Sequence, residues 1–408
     1  METMMQTRGE RMLALRRARM AAAPPFLRGG FRPFFFGGAV WAIVALALWL
    51  LALGGQIAIP SAFDVLAWHR HEMLFGFVGA VIAGFLLTAV PNWTGSLPIA
   101  GWPLASLFGL WVAGRLAMLF SALLGAGLAA IIDVSFYLVL AGVAAREVLQ
   151  ASNRNVPIVG LVLMFGVADA LDHAASVWRF GDAALPWQAA MSLIIILISL
   201  VGGRIVPSFT RNWLVKHGIK DGLPEQPGRF DMAVIGLTAL ALLAWISATL
   251  GWLASTLLGL AAAGQLARLA RWKGWKAVAD PLVFVLHVGY AWVPVGLALL
   301  AAAQSGSSVP QSAAVHAFTA GAMATMILAV MTRASLGHTG RELRAGVATG
   351  AIYLLVTVGA LLRIGASLGL IDYQMGLEIA ASAWAGSFLL FLFAYGPVLF
   401  GPRPDGKD

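Results

Sequence analysis

The chain has 408 residues, 60% of them hydrophobic and only 11% charged, and a mean hydropathy of +0.85; this excludes a soluble domain and defines a polytopic membrane protein. Cysteine is absent, which rules out disulfides, thiolate metal sites, iron–sulfur clusters and covalent c-type haem attachment. The net charge of +9 calls for no nucleic-acid partner, because its distribution along the chain has a better explanation.

Residues 1–32 form a basic segment with no apolar core of signal-peptide length before Phe34, so no cleavable signal is expected. Residues 33–400 are expected to form a single transmembrane bundle in the lipid bilayer, and residues 401–408 a short tail. A helix needs roughly 20 apolar residues to cross a bilayer. Such segments fall near 34–54, 65–90, 101–123, 126–146, 156–179, 185–206, 231–249, 251–270, 278–302, 310–332, 346–367 and 376–400. Turn signals divide them, among them Gly54-Gly55, Pro91-Asn92, Gly125, Gly181-Asp182, Ser305-Gly306 and Gly369. Only Gly251 separates segments seven and eight. The fold class is therefore an all-α membrane bundle of about twelve spans.

Basic residues in short connections mark the cytoplasmic side. With both termini cytoplasmic, all but four of the 27 lysines and arginines fall on that side. The exceptions are Arg70, Arg115, Arg179 and Arg363, which map to the outer half of the bundle or its outer face. Glu72, Asp133, Asp169, Asp172 and Glu378 map there too, as do His69, His71, His173 and His316. His287 falls near the midplane, and His217 and His338 fall in cytoplasmic loops. Ionisable groups at such depths are costly and mark function.

The densest cluster is Trp68-His69-Arg70-His71-Glu72-Met73, at the mouth of span 2. His69 and Met73 share a helix face. His71 lies about 200° from His69, so a regular helix cannot aim both imidazoles at one metal. His71 is followed by Gly76 and His316 by Gly321 at the same offset, and a small residue there lets a macrocycle or another helix approach. His69, His71, His287, His316 and Met73 are the candidate metal ligands, and a pair of histidines from facing helices is one way to hold haem b. Arg70, Arg115 and Arg179 suit haem propionates or, equally, the buried acids. Asp169 and Asp172 beside His173, with Glu72, are candidates for a proton relay. The 15 tryptophans fit an aromatic belt at the membrane interfaces. No phosphate-binding glycine loop, zinc-protease helix or serine elbow is present.

Several strings occur together. Phe31-Arg32-Pro33-Phe34-Phe35 precedes span 1. Trp68 to Phe77 enters span 2, and Gly84 to Gly95 leaves it. Gly202-Gly203-Arg204-Ile205-Val206-Pro207 ends span 6. His316-Ala317-Phe318-Thr319 and Met331 to Arg341 flank span 10. This set resembles the NnrS family of bacterial membrane proteins. The resemblance implies a twelve-helix inner-membrane protein carrying haem and copper, with nitric oxide as its partner and a role in nitrosative stress. An electron donor, quinone or a periplasmic carrier, would accompany that role. A catalytic nitric oxide reductase of unusual design and a proton- or metal-coupled transporter are the alternatives. Haem–copper oxidases and nitric oxide reductases take ligands from spans 2, 6, 7 and 10. Spans 6 and 7 here lack histidine, so a three-histidine copper centre cannot be rebuilt at those places.

Overall fold

The structure, a computed structural model, describes residues 8–247 and 250–404. Among these residues it is all-α, and twelve helices are long and apolar enough to cross a membrane. Spans 1 to 6 are Phe31–Leu53, Val65–Thr94, Trp102–Leu119, Ala126–Gln150, Val156–Trp178 and Leu185–Lys216. Spans 7 to 12 are Arg229–Ile246, Gly251–Arg271, Pro281–Gln304, Gln311–His338, Val347–Ser367 and Tyr373–Phe400. Each overlaps the segment expected from hydropathy. The division marked by Gly251 alone is real: span 7 ends at Ile246 and span 8 begins at Gly251. His338, expected in a loop, is instead the last residue of the span 10 helix. A shorter helix, Arg8–Ala22, precedes span 1.

Local chemistry sets the helix ends. Asp64 caps span 2 by accepting from the backbone amides of Leu66 and Ala67 at 3.0 and 2.9 Å. Gly95 closes that span in the left-handed region, φ 71°, with its amide bonded to the Pro91 carbonyl. Asp280 caps span 9, and Pro281 occupies its first turn, where no amide donor is needed.

The chain forms two compact units. The first contains spans 1 to 5, the segment Ala334–Arg341 and the chain from Tyr395 onward. Within it span 1 packs on span 2, span 3 on span 4 and span 4 on span 5. Arg32 is buried at the start of span 1 and donates to the carbonyls of Leu399 and Gly401 at 2.9 and 2.7 Å, tying the first and last spans together. The second unit holds residues 188–333 and 342–394, with span 8 packed between spans 7 and 9.

The second unit is pinned by a polar network that loop-charge counting conceals. The topology assigns Arg268, with Arg271, Lys273 and Lys276, to the cytoplasmic basic residues. It is instead 1% exposed on span 8, with its Nε donating to Asp231 Oδ1 of span 7 at 2.9 Å. Its Nη1 reaches Tyr290 Oη at 2.7 Å and Ser199 Oγ at 2.9 Å, and Gln265 bridges Tyr290, Ser199 and Thr238. The second oxygen of Asp231 accepts from the Gly228 amide, which starts span 7. Every charge in this group is neutralised or bonded, so it holds four helices, spans 6 to 9, in register and has no unmet demand for a ligand.

Breaking one side of such a pair leaves a buried charge, at a cost of about 3–5 kcal/mol. Arg268→Met is expected to lower the thermal midpoint of the detergent-solubilised protein sharply. The double variant Arg268→Met/Asp231→Leu should recover part of the loss. Equal midpoints for wild type and Arg268→Met in a thermal melt would contradict this account.

Candidate metal centre

Span 2 departs from α-helical geometry within its run of ionisable residues. The helix runs regularly through His71 and then becomes π-helical from Glu72 to Val78. A π-turn carries one more residue than an α-turn and occurs mostly at functional sites. Its carbonyls are met by side chains from neighbouring spans. Tyr137 Oη of span 4 donates to the Phe75 carbonyl, and Trp111 Nε1 of span 3 donates to the Gly76 carbonyl at 3.0 Å. Glycine makes this approach possible. A Cβ on Gly76 would lie 2.6 Å from both Arg115 Nη1 and Glu72 Oε2, and one on Gly79 would collide with Tyr137 Oη.

Around this segment spans 2 to 5 bring together Glu72, His71, Arg115, Asp133, Asp169, Asp172 and His173, all buried. Arg115 is the bridge: Nη1 donates to Glu72 Oε2 at 2.7 Å and Nη2 pairs with Asp133 Oδ1. Trp41 Nε1 gives Glu72 Oε2 a second donor at 2.6 Å. His71 is held at both ring nitrogens, Nδ1 by Asp172 Oδ2 at 2.9 Å and Nε2 by Asp133 Oδ2 at 2.8 Å. His173 Nε2 reaches the same Asp133 oxygen at 3.3 Å.

One member of the group has no hydrogen bonds. Neither oxygen of Asp169 has a hydrogen-bond partner, although Oδ1 lies 3.6 Å from His71 Nε2. Asp172 Oδ1 and His173 Nδ1 are likewise buried without a hydrogen bond. The charges are also out of balance. With both imidazoles neutral, four ionised carboxylates face only the guanidinium of Arg115 and that of part-exposed Arg70, 3.9 Å from Asp172, which leaves two negative charges; a proton on His71, whose two nitrogens each face a carboxylate, would remove one of them. Buried charge of that size requires a counter-ion or protons.

The geometry offers a place for a cation. One ligand atom from each of His71, Asp133, Asp169 and His173 lies within 4.8 Å of the other three. Ligands about 2.1 Å from a central ion stand roughly 3–4 Å apart, so a small contraction completes a two-nitrogen, two-oxygen site. Asp172 then serves as the carboxylate that fixes the far nitrogen of a ligating imidazole. Phe63 covers the two imidazoles, its ring centroid 5.1 Å from His71 and 5.3 Å from His173. The loop carrying it is latched by Ser121, whose Oγ lies 3.1 Å from Ser61 Oγ and accepts from the Ala62 amide at 2.9 Å.

The other residues singled out from sequence lie in different surroundings. His69 stacks on Trp49, centroids 3.9 Å apart, so it and His71 meet different partners, as a 200° separation requires. Met73 is half-buried and is not a member of the four-ligand group. Arg70 lies over the Trp187 ring, and Arg179 is an exposed left-handed residue ending span 5. His287 and His316 belong to the second unit. His287 Nε2 is bonded to Thr210 Oγ1 of span 6 at 2.8 Å, a helix-to-helix bond. His316 Nδ1 donates to the Ser312 carbonyl at 2.7 Å, which leaves Nε2 with the lone pair. It too is followed at once by a π-helical segment, Ala317–Met323, in which Gly321 lies against the indole of Trp292. Asp133, Asp169 and His173 are the members of this group that the first selection of ligands omitted, Asp169 entering there only as a proton-relay candidate. Their position in the outer halves of spans 4 and 5, facing the Arg115 level, was the available signal.

A polytopic all-α membrane protein with a buried histidine–carboxylate centre is the class these features define. The NnrS protein family profile matches residues 25–403, nearly the whole chain, and the protein belongs to that family, whose membership suggests a nitric oxide-related membrane protein. No curated protein matches the chain.

Removing the Tyr137 hydroxyl would leave a π-turn carbonyl without its side-chain donor, at a cost of about 1–3 kcal/mol. Tyr137→Phe is expected to lower the thermal midpoint, while Phe180→Leu, at an exposed position, should leave it unchanged. Circular dichroism melts in detergent provide the comparison.

Proposed function

We propose that the protein is a nitric oxide-handling protein of the bacterial inner membrane whose working centre is a first-row transition metal, with copper as the leading candidate. His71, His173, Asp133 and Asp169 hold the metal. The observation that carries this reading is Asp169, a fully buried carboxylate with no hydrogen bond, in a cluster whose four carboxylates outnumber its guanidiniums. Such a metal supplies a site that takes nitric oxide as a ligand. The protein's own groups set its environment. Asp172 orients His71, Arg115 disperses charge from Asp133 and Glu72, and Phe63 keeps water from the imidazoles. Glu72, with Oε1 lacking a hydrogen bond, and Asp172 are placed to carry protons to or from the centre.

Haem does not fit at His71. Asp133 stands 2.8 Å from Nε2 along the line an iron would take, and Phe63, Phe75 and His173 surround the ring with centroids about 5 Å away. His316 is the histidine with the right chemistry for haem b: its Nδ1–H is anchored on a backbone carbonyl and its Nε2 is left as a donor. Electrons for any reduction come from a donor outside the chain, quinone or a periplasmic carrier.

Metal content, optical spectra and electron paramagnetic resonance of purified protein test this. The wild type is expected to hold non-haem metal, and Asp169→Asn and His173→Gln should weaken its binding at least ~10–100-fold. Metal affinity should fall as pH drops, because the ligands bind metal only when deprotonated. Nitric oxide should perturb the metal signal in wild type. His316→Ala should abolish a Soret band without removing the non-haem metal. A metal-free wild type from metal-replete cells, or undiminished binding in Asp169→Asn, overturns the proposal.

A further inference from the structure

The short connection from span 8 to span 9, in the second unit, carries a charge arrangement that neither the Arg268 network nor the metal reading uses. Span 8 ends at Arg271, a 3-10 turn runs over Gly274–Ala277, and span 9 begins at Pro281. Lys273 Nζ and Lys276 Nζ both donate to the carbonyl of Gly222, in the connection between spans 6 and 7, at 3.1 and 3.0 Å. Two ammoniums that share one oxygen at those distances stand no more than about 6 Å apart and repel each other. A neutral carbonyl cancels neither charge. Among the described residues neither lysine has a carboxylate partner, Asp221 beside Gly222 included. Glu225, in the same connection, is taken by Arg271.

The backbone is shaped to make the two lysines converge. Lys273 is left-handed, φ 54°, a conformation that a residue with a Cβ disfavours, and it turns the chain sharply off the end of span 8. Gly222 supplies the shared carbonyl from a positive φ of its own, 60°. Trp272 anchors the turn from beneath: it is buried, and its ring meets Tyr290 with centroids 4.5 Å apart. Trp275 does the opposite. It lies between the two lysines in the sequence and is 63% exposed, and Val278, also exposed, follows it. An open indole at the end of a membrane span belongs at the level of the lipid head groups. One turn at the membrane boundary therefore carries two uncompensated ammoniums and an open apolar ring. Lysines beside a span attract anionic head groups. A lipid phosphate satisfies both features, the lysines through its charge and the indole through the glycerol and acyl region behind it. Free phosphate would answer the lysines alone.

We infer that residues 273–278 form a docking site for the phosphate head group of an anionic phospholipid, with Lys273 and Lys276 holding the phosphate and Trp275 and Val278 seated in the lipid. The inference is independent of the metal centre.

The test follows the thermal midpoint of the purified full chain in detergent as phosphatidylglycerol, phosphatidylcholine or inorganic phosphate is added. Phosphatidylglycerol is expected to raise the wild-type midpoint by several degrees, and phosphatidylcholine, whose head group has no net charge, by less than half as much. Lys273→Gln/Lys276→Gln keeps donors for the Gly222 carbonyl and should need at least ~10-fold more phosphatidylglycerol for the same shift. Lys216→Gln/Lys220→Gln removes the same charge from exposed positions at and after the end of span 6 and should respond as wild type does. Trp275→Ser should weaken the response to phosphatidylglycerol with both lysines in place. Should the double variant not purify as folded protein, Lys276→Gln alone provides the comparison. The inference is overturned by an equal response to phosphatidylcholine, by an undiminished response in the Lys273 and Lys276 variants, or by the same loss in the Lys216/Lys220 variant. Stabilisation by inorganic phosphate that matches phosphatidylglycerol overturns the lipid assignment.

Discussion

Arg115 sits where lipid-embedded proteins rarely place a charge, and the arrangement of the first unit follows from what that charge requires. A guanidinium inside an apolar bundle must be surrounded by acceptors. Glu72 of span 2 and Asp133 of span 4 supply them, so the span 3 arginine fixes the positions of both neighbours. Each acceptor then creates a further demand. Glu72 draws in Trp41 from span 1, and Asp133 shares one oxygen between His71 and His173. The chain of obligations ends at Asp169, which is left without a hydrogen bond. The contrast with Arg268 is informative. That arginine is as deeply buried, yet its network closes on Asp231, Gln265, Tyr290 and Ser199 with nothing outstanding. One cluster is complete as protein alone, and the other is not.

Much of this was legible in the sequence because the bilayer imposes simple rules. Apolar length gave the spans, and the distribution of lysine and arginine separated Arg70 and Arg115 from the loop cations. The same topology put His71, Glu72, Asp133, Asp169, Asp172 and His173 at one level. What could not be read was which of these groups meet. His69 and His71 are two residues apart and equally suited to a metal, and only helix geometry favours separating them. His173 is a better neighbour of His71 than His69 is, but that depends on how span 5 packs on span 4. Arg268 was hidden for a different reason: it lies three residues from Arg271 and five from Lys273, and a charge census cannot tell a buried helix end from a loop.

The two π-helical segments were also invisible to hydropathy, since one extra residue per turn leaves an apolar run apolar. Both begin immediately after a histidine, and both place glycine five residues after it. In span 2 the glycine admits polar side chains from spans 1 and 3, whereas in span 10 the same position is filled by an indole. The shared device therefore serves two different fillings.

A π-segment also acts as a phase shifter. Each residue of an α-helix turns the chain by about 100°, so the irregular stretch from Glu72 to Val78 sets the angular relation between the two ends of span 2. Upstream, His71 faces the acidic cluster; downstream, Thr88 and Asn92 line a cavity beside the start of span 1. A span of equal length wound as a regular α-helix would present one of these ends correctly and turn the other toward the wrong neighbour. The unusual winding thus lets a single helix, buried for most of its length, meet two different sets of neighbours at its two ends.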